Sequence, residues 1–139
     1  MSTSLSSTLP LAQWVENWNQ LVFFQPDDNL SSQTLSETVD PNFTVKINHT
    51  THDINGLKAG VQWVRSSFST TLNSNEELIH WIAPDGIGGA VVHKTVFTSK
   101  EVASGKTTKK TSLVTTIVKN VDGKRVLAEL VEVEVEEEE

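Results

Sequence analysis

Helical spacing of apolar residues dominates the first half of the chain, broken by one alternating stretch, and a period of two runs through the second half. From Leu11, apolar residues recur three and four apart, at Trp14, Val15, Trp18, Leu21 and Val22. That spacing predicts one buried helix face ending near Phe24, with Ser7 or Thr8 as cap and Pro10 in the first turn. Gln25-Pro26-Asp27-Asp28 breaks it. A shorter helix is predicted over Leu30–Val39, with Leu35 and Val39 inward, stopped by Asp40-Pro41. Phe43 to Thr50 alternates, with Phe43, Val45, Ile47 and His49 on one side, so it predicts a half-buried strand. Asp53-Ile54-Asn55-Gly56 predicts a turn, with Asp53 as cap or turn residue. A third helix follows, its apolar stripe formed by Leu57, Val61, Val64, Phe68 and Leu72.

From Glu76 onward the period is two. Four strands are predicted, over Glu77–Ala83, Gly89–Val102, Thr107–Asn120 and Arg125–Val135. A loose loop, Pro84 to Gly88, joins the first two. Ser104-Gly105 and Asp122-Gly123 predict tight hairpin turns, because glycine accepts positive φ. Helices first and a meander last predict an α+β fold, three N-terminal helices on one face of a curved antiparallel sheet. One domain over 1–139 is expected, with about 1–8 and 136–139 frayed.

Centring the three turns predicts a register in which His80, His93, Thr116 and Glu129 lie side by side in one row across the sheet. The same face holds Val91, Thr95, Phe97, Val114 and Val118. An uninterrupted last strand puts Glu132 and Glu134 on the opposite face. That opposite face, with Ile79, Trp81, Val92, Leu113 and Ile117, is also apolar and has no element left to cover it. A homodimer through this outer sheet face is therefore expected.

Composition narrows the chemistry. The net charge of −7 argues against nucleic acid and anionic membranes as partners. The Lys106, Lys109, Lys110 group is read as a hairpin tip or as an edge guarded against aggregation. The absence of cysteine removes disulfides and thiolate metal sites, and fits a cytoplasmic location. No signal segment or membrane span is read from the start of the chain. The sequons at Asn29, Asn42 and Asn48 then reflect Ser/Thr content. No His-x-x-x-His or similar spacing predicts a metal, and no phosphate or dinucleotide motif predicts a cofactor.

The order helix, helix, strand, helix, hairpin-linked strands, together with Gly56-Leu57-Lys58-Ala59-Gly60-Val61-Gln62-Trp63-Val64 after a strand and short turn, resembles the nuclear transport factor 2-like superfamily. The segment is similar to the Gly-x-x-Ala-Ile helix start of its SnoaL-like branch. The resemblance implies a cone-shaped fold and cofactor-free acid–base chemistry of the polyketide cyclase, ketosteroid isomerase or scytalone dehydratase kind. The substrate implied is a small hydrophobic polyketide- or terpenoid-like molecule of secondary metabolism. The chain lacks tyrosine, which several such enzymes use as an oxyanion donor. The candidate catalytic residues are His80, His93, Glu129 and His49, and the candidate substrate-binding residues are Trp14, Trp18, Trp63, Thr116 and Phe97. A histidine beside a carboxylate suits proton abstraction next to a carbonyl, hence isomerisation, cyclisation or dehydration. The other reading is a non-catalytic ligand-binding or adaptor module of the same fold.

Overall fold

The computed structural model describes residues 4–137. Helix α1 (Leu11–Asn19) runs into a π-helical turn (Gln20–Phe24), followed by α2 (Asp28–Thr38). Strands β1 (Val39–Ile47) and β2 (Thr50–Asp53) precede α3 (Ile54–Ser67), and β3 (Phe68–Ile82), β4 (Gly89–Glu101), β5 (Thr107–Val121) and β6 (Lys124–Glu136) complete the chain. The six strands form one curled, open sheet in the order β2-β1-β6-β5-β4-β3, with three helices on one face. The sheet is mixed, not wholly antiparallel, because β1 pairs parallel with β6.

Helix α1 buries Leu11, Trp14, Val15 and Trp18. Trp14 Nε1 donates to the Leu5 carbonyl at 3.0 Å and Trp18 Nε1 to Thr38 Oγ1 at 2.8 Å, so neither burial strands an indole N–H. Asn17 Nδ2 donates to the Ser4 carbonyl at 2.7 Å. The segment 4–8, expected to fray, is thus tied to α1. The expected fraying at residues 1–3 and 138–139 lies outside the described residues. Pro10 sits at the N-cap with no side-chain cap bond, so neither Ser7 nor Thr8 caps the helix. Asp27 caps α2 through the Asn29 and Leu30 amides, and Asp53 caps α3 through Gly56.

The π-helical turn leaves backbone carbonyls that an α-helix would bond, and side chains take them up. Ser31 Oγ and Arg65 Nη1 both donate to the Val22 carbonyl, Thr70 Oγ1 to Phe23 and Arg65 Nη2 to Gln25. Single π turns recur where a helix must aim unusual side chains, and this one aims Phe23 and Phe24.

Helix α3 stops at Ser67, so Phe68 and Leu72 belong to a strand and not to the predicted stripe. Ser66 through Thr71 is dominated by hydroxyl residues that compete with helical backbone bonds. Strand β3 is consequently long, at 15 residues, and carries two bulges. Gly89 (φ 155°) lets α1 approach the sheet: a Cβ there would meet the Trp81 carbonyl at 2.2 Å and Leu11 Cδ2 at 2.8 Å.

Candidate functional site

Between the curled sheet and the helices lies a cavity of about 610 Å³, within the range of small-molecule sites. Phe23 and Phe24 of the π turn, Trp63 of α3, Phe68 of β3 and Phe97 of β4 give it aromatic walls. Phe24 and Phe97 meet edge to face at 6.3 Å, and Trp63 packs on Phe68 at 5.1 Å while remaining 60% exposed, which places it at the mouth.

The carboxyls of the cavity come from β6, through a bulge. Near the last turn Val118 pairs with Leu127, as the turn predicts, but by Ile117 the partner is Glu129. One extra residue on β6 reverses which side chains face inward beyond it. Glu129 is therefore exposed, Leu130 is buried, and Glu132 and Glu134 line the cavity. On the other side of β6, pairing with β1 is also irregular between Val39 and Thr44. That stretch contains Pro41, which has no N–H for a ladder.

Cross-strand partners share a face. One row reads Glu77, His93, Val114, Glu132 and Ile47, and the next holds Thr95, Ser112 and Glu134. Burial pushes the Glu132 carboxyl from 4.5 up to about 7, and the negative charge of Glu134 adds to the rise. The Ser112 hydroxyl and the Lys110 ammonium pull the other way and are outweighed. Lys110, the cross-strand partner of Phe97, reaches in to pair with Glu134 at 3.8 Å. It belongs to the cavity and not to a hairpin tip. Ser112 is 1% exposed and its Oγ has no hydrogen-bond partner in acceptable geometry, so the hydroxyl lies near the carboxyls without a firm bond to either.

The expected row of His80, His93, Thr116 and Glu129 does not form. The turn between β4 and β5 sits one position earlier than expected, so His93 faces Val114 and Thr116 faces Val91. The turn between β3 and β4 also sits one position earlier than expected, which leaves His80 opposite Val91, and the bulge between Glu77 and Ile79 gives His93 the partner Glu77. His93 is 1% exposed under α1, where Nε2 lies 3.3 Å from Glu16 Oε1 and Nδ1 has no partner. His80 is exposed on the edge strand against Glu77. His49 is exposed in the β1–β2 turn, not at the end of a strand, since Asn48 (φ 56°) reverses the chain there. None of the four candidate catalytic side chains lines the cavity. Of the candidate binding residues, Trp63 and Phe97 line it; Trp14, Trp18 and Thr116 are core. His52, set opposite Val45, also lines it.

A second hollow, of about 350 Å³, lies between α2 and α3. Its Arg65 is already committed to Asp28 and to two backbone carbonyls, so it is a structural cleft. Among the described residues no three His, Asp or Glu side chains converge as a metal site, and no helix is long and apolar enough to cross a membrane.

No family model and no curated protein matches the sequence. Solved structures do match the fold. An NTF2-like protein of unknown function from Exiguobacterium sp. is 15% identical, with 90% of this chain and 98% of that chain covered and a TM-score of 0.63. This chain has the nuclear transport factor 2-like fold. Other proteins with this fold include a ketosteroid isomerase-like protein from Erwinia carotovora, at 12% identity, 79% and 82% coverage and a TM-score of 0.63. A hexachlorocyclohexane dehydrochlorinase of type 2 matches at 11% identity, 86% and 82% coverage and a TM-score of 0.62. At these identities the likeness carries the fold and leaves the chemistry to the site.

Proposed function

We propose that the protein is a cofactor-free acid–base enzyme, an isomerase, cyclase or lyase, acting on a small polyketide- or terpenoid-like molecule held in the aromatic cavity. The observation that carries the reading is Glu132, an inward carboxyl raised to about 7 inside a hollow of substrate size. A base whose pKa lies near the working pH combines a usable fraction of anion with real basicity. Carboxyls raised by burial and a like-charged neighbour cluster at functional sites. Glu132 takes a proton from a substrate C–H and, as the acid, returns it elsewhere or to a leaving group. Nuclear transport factor 2-like neighbours named as isomerase-like and as a dehydrochlorinase support that class of chemistry.

The protein itself supplies the probe. Mass spectrometry of purified protein identifies retained small molecules. In D2O the wild type should place deuterium on a carbon of such a molecule, and Glu132→Gln should not. Equal labelling by both proteins would overturn Glu132 as the base.

We also propose that the chain acts as a homodimer through the outer face of the sheet. Leu113 and Val133 face each other there, 47% and 56% exposed, with Val131, Val135 and Ile79 nearby. An apolar patch of this extent on a twisted sheet suits an isologous contact.

A further inference from the structure

Six of the seven glycines have a reason in the fold, and Gly60 has none. Gly86, Gly89, Gly105 and Gly123 hold positive φ, which side chains resist. A Cβ at Gly56 would meet His52 Cβ at 2.7 Å, and one at Gly88 would meet the Val118 carbonyl at 2.9 Å. Gly60 lies inside α3, takes no positive φ, and a Cβ there would meet nothing within 4 Å. Glycine in a helix interior costs stability relative to alanine, and no contact within this chain offsets that cost.

What Gly60 does border is the cavity. With Gly56 and Ala59 it bares the α3 backbone at the mouth, and Trp63 follows on the same helix face. Trp63 packs on Phe68. Phe68 and Thr70 both line the cavity, and Thr70 pairs with Ser99 of β4. These residues therefore bound one end of the hollow. Ser99 is 5% exposed, and among the described residues its hydroxyl has no hydrogen-bond partner. The Thr70 hydroxyl beside it donates to the Phe23 carbonyl instead. Unlike Ser112 Oγ, Ser99 Oγ is not sealed into the wall. Asn19 and His52 line the cavity too, but they are half-buried and exposed, so water satisfies them. A buried hydroxyl without a protein partner, open to a cavity, is placed to bond what fills that cavity.

We propose that Gly60 sets the specificity of the cavity, by keeping the α3 backbone bare so that a flat ring lies against it beside Trp63, with an oxygen of that ring bonded to Ser99 Oγ. The class of ligand is a conjugated ring carrying a hydroxyl or a carbonyl, since a serine hydroxyl both donates and accepts. A glycine lets a ligand approach the backbone closely. A puckered ring is too thick to lie as near and stacks poorly on the aromatic walls. Ser99 lies six residues along β4 from His93, whose row includes Glu132, so this seat is separate from the carboxyl. The inference rests on the cavity being a small-molecule site and not on Glu132 being the base.

The probes are 2-naphthol, its saturated and puckered counterpart decahydro-2-naphthol, and naphthalene, each titrated into the full chain by calorimetry. The wild type should bind 2-naphthol at least about fivefold tighter than decahydro-2-naphthol, the size of one or two aromatic stacks. It should prefer 2-naphthol over naphthalene about threefold, and Ser99→Ala, which removes a hydroxyl without a protein partner, should abolish that preference. Gly60→Leu puts a good helix former at the open position. It should melt about 3 °C higher than the wild type and bind 2-naphthol about tenfold more weakly or worse. No binding of 2-naphthol by the wild type, equal binding of flat and puckered probes, a naphthalene comparison unmoved by Ser99→Ala, or full affinity in Gly60→Leu would each overturn the inference. So would a lower melting temperature of Gly60→Leu, which would give Gly60 a task in the fold. Deuterium transfer that Glu132→Gln abolishes and Gly60→Leu leaves at the wild-type rate would sink the ring seat alone. Flat-ring binding without any such transfer in the wild type would sink the proton chemistry alone.

Discussion

Glu132→Gln should make the protein more stable at alkaline pH, and the size of the effect follows from its surroundings. Burial holds the Glu132 carboxyl up at about 7 in the folded chain, against its ordinary 4.5 in the unfolded one. Between those values the unfolded chain has released this proton and the folded chain still holds it. Stability therefore falls as pH rises from 4.5 to about 7, and the loss is complete above that. At about 1.4 kcal/mol per pH step the interval amounts to about 3 kcal/mol. Glutamine has nearly the same shape and no charge to desolvate. The variant should match the wild type near pH 4.5 and exceed it by up to ~3 kcal/mol at pH 8.5. For a chain of this size that is a rise of about 10 °C in Tm. Paired thermal or urea melts from pH 4.5 to 8.5 read it directly. Parallel curves for the two proteins would mean that Glu132 ionises normally, and the site would lose its reason to be catalytic.

Glu129→Gln should leave deuterium transfer to the retained molecule unchanged, because the bulge puts Glu129 on the exposed face; an effect like that of Glu132→Gln, read by mass spectrometry, would refute the assigned register. Lys119→Met should cost about 1 kcal/mol at pH 7. The Lys119 hydrogen bond, then the Asn42 amide, hold the Asp40 carboxyl below 3.8. That stability is present above 3.8 and is lost as pH falls through the lowered folded value, so acid melts of the variant should show a smaller loss. Leu113→Glu should leave a folded monomer by sedimentation velocity where the wild type sediments as a dimer; a dimer unchanged by a charge in the centre of the face would remove the outer sheet as the contact.

The helices and strands were legible because their periods are long and clean. Leu11 to Val22 has one helical face, and Gly89 to Val102 is rich in β-branched residues between glycine-containing turns. The candidate site was not, for a reason that is local to β6. Bulges on β3 and β6 depend on neighbouring strands, including Pro41 of β1 far away in sequence, and no turn residue announces them. One inserted position exchanged Glu129 for Glu132 and Glu134 as the inward acids. Glu129 has opposite parity to Glu132 and Glu134, so this acidic strand puts a carboxyl inward in either register. His93 was correctly placed on the inner face, because the shift of its hairpin preserved parity, but α1 with Glu16 closes over it. The π turn that presents Phe23 and Phe24 follows a helix whose period gives no sign of widening. Of the aromatic wall, Phe97 and Trp63 could be named from strand and helix phase alone.

The most direct test is a carboxyl ¹³C NMR titration of Glu132, assigned by its absence in Glu132→Gln. The side chain should change its shift with a midpoint near 7. A midpoint in the ordinary carboxylate range, near 4.3, would contradict the account: the acid in the hollow would then be a solvated surface group, and the fold would be holding no base.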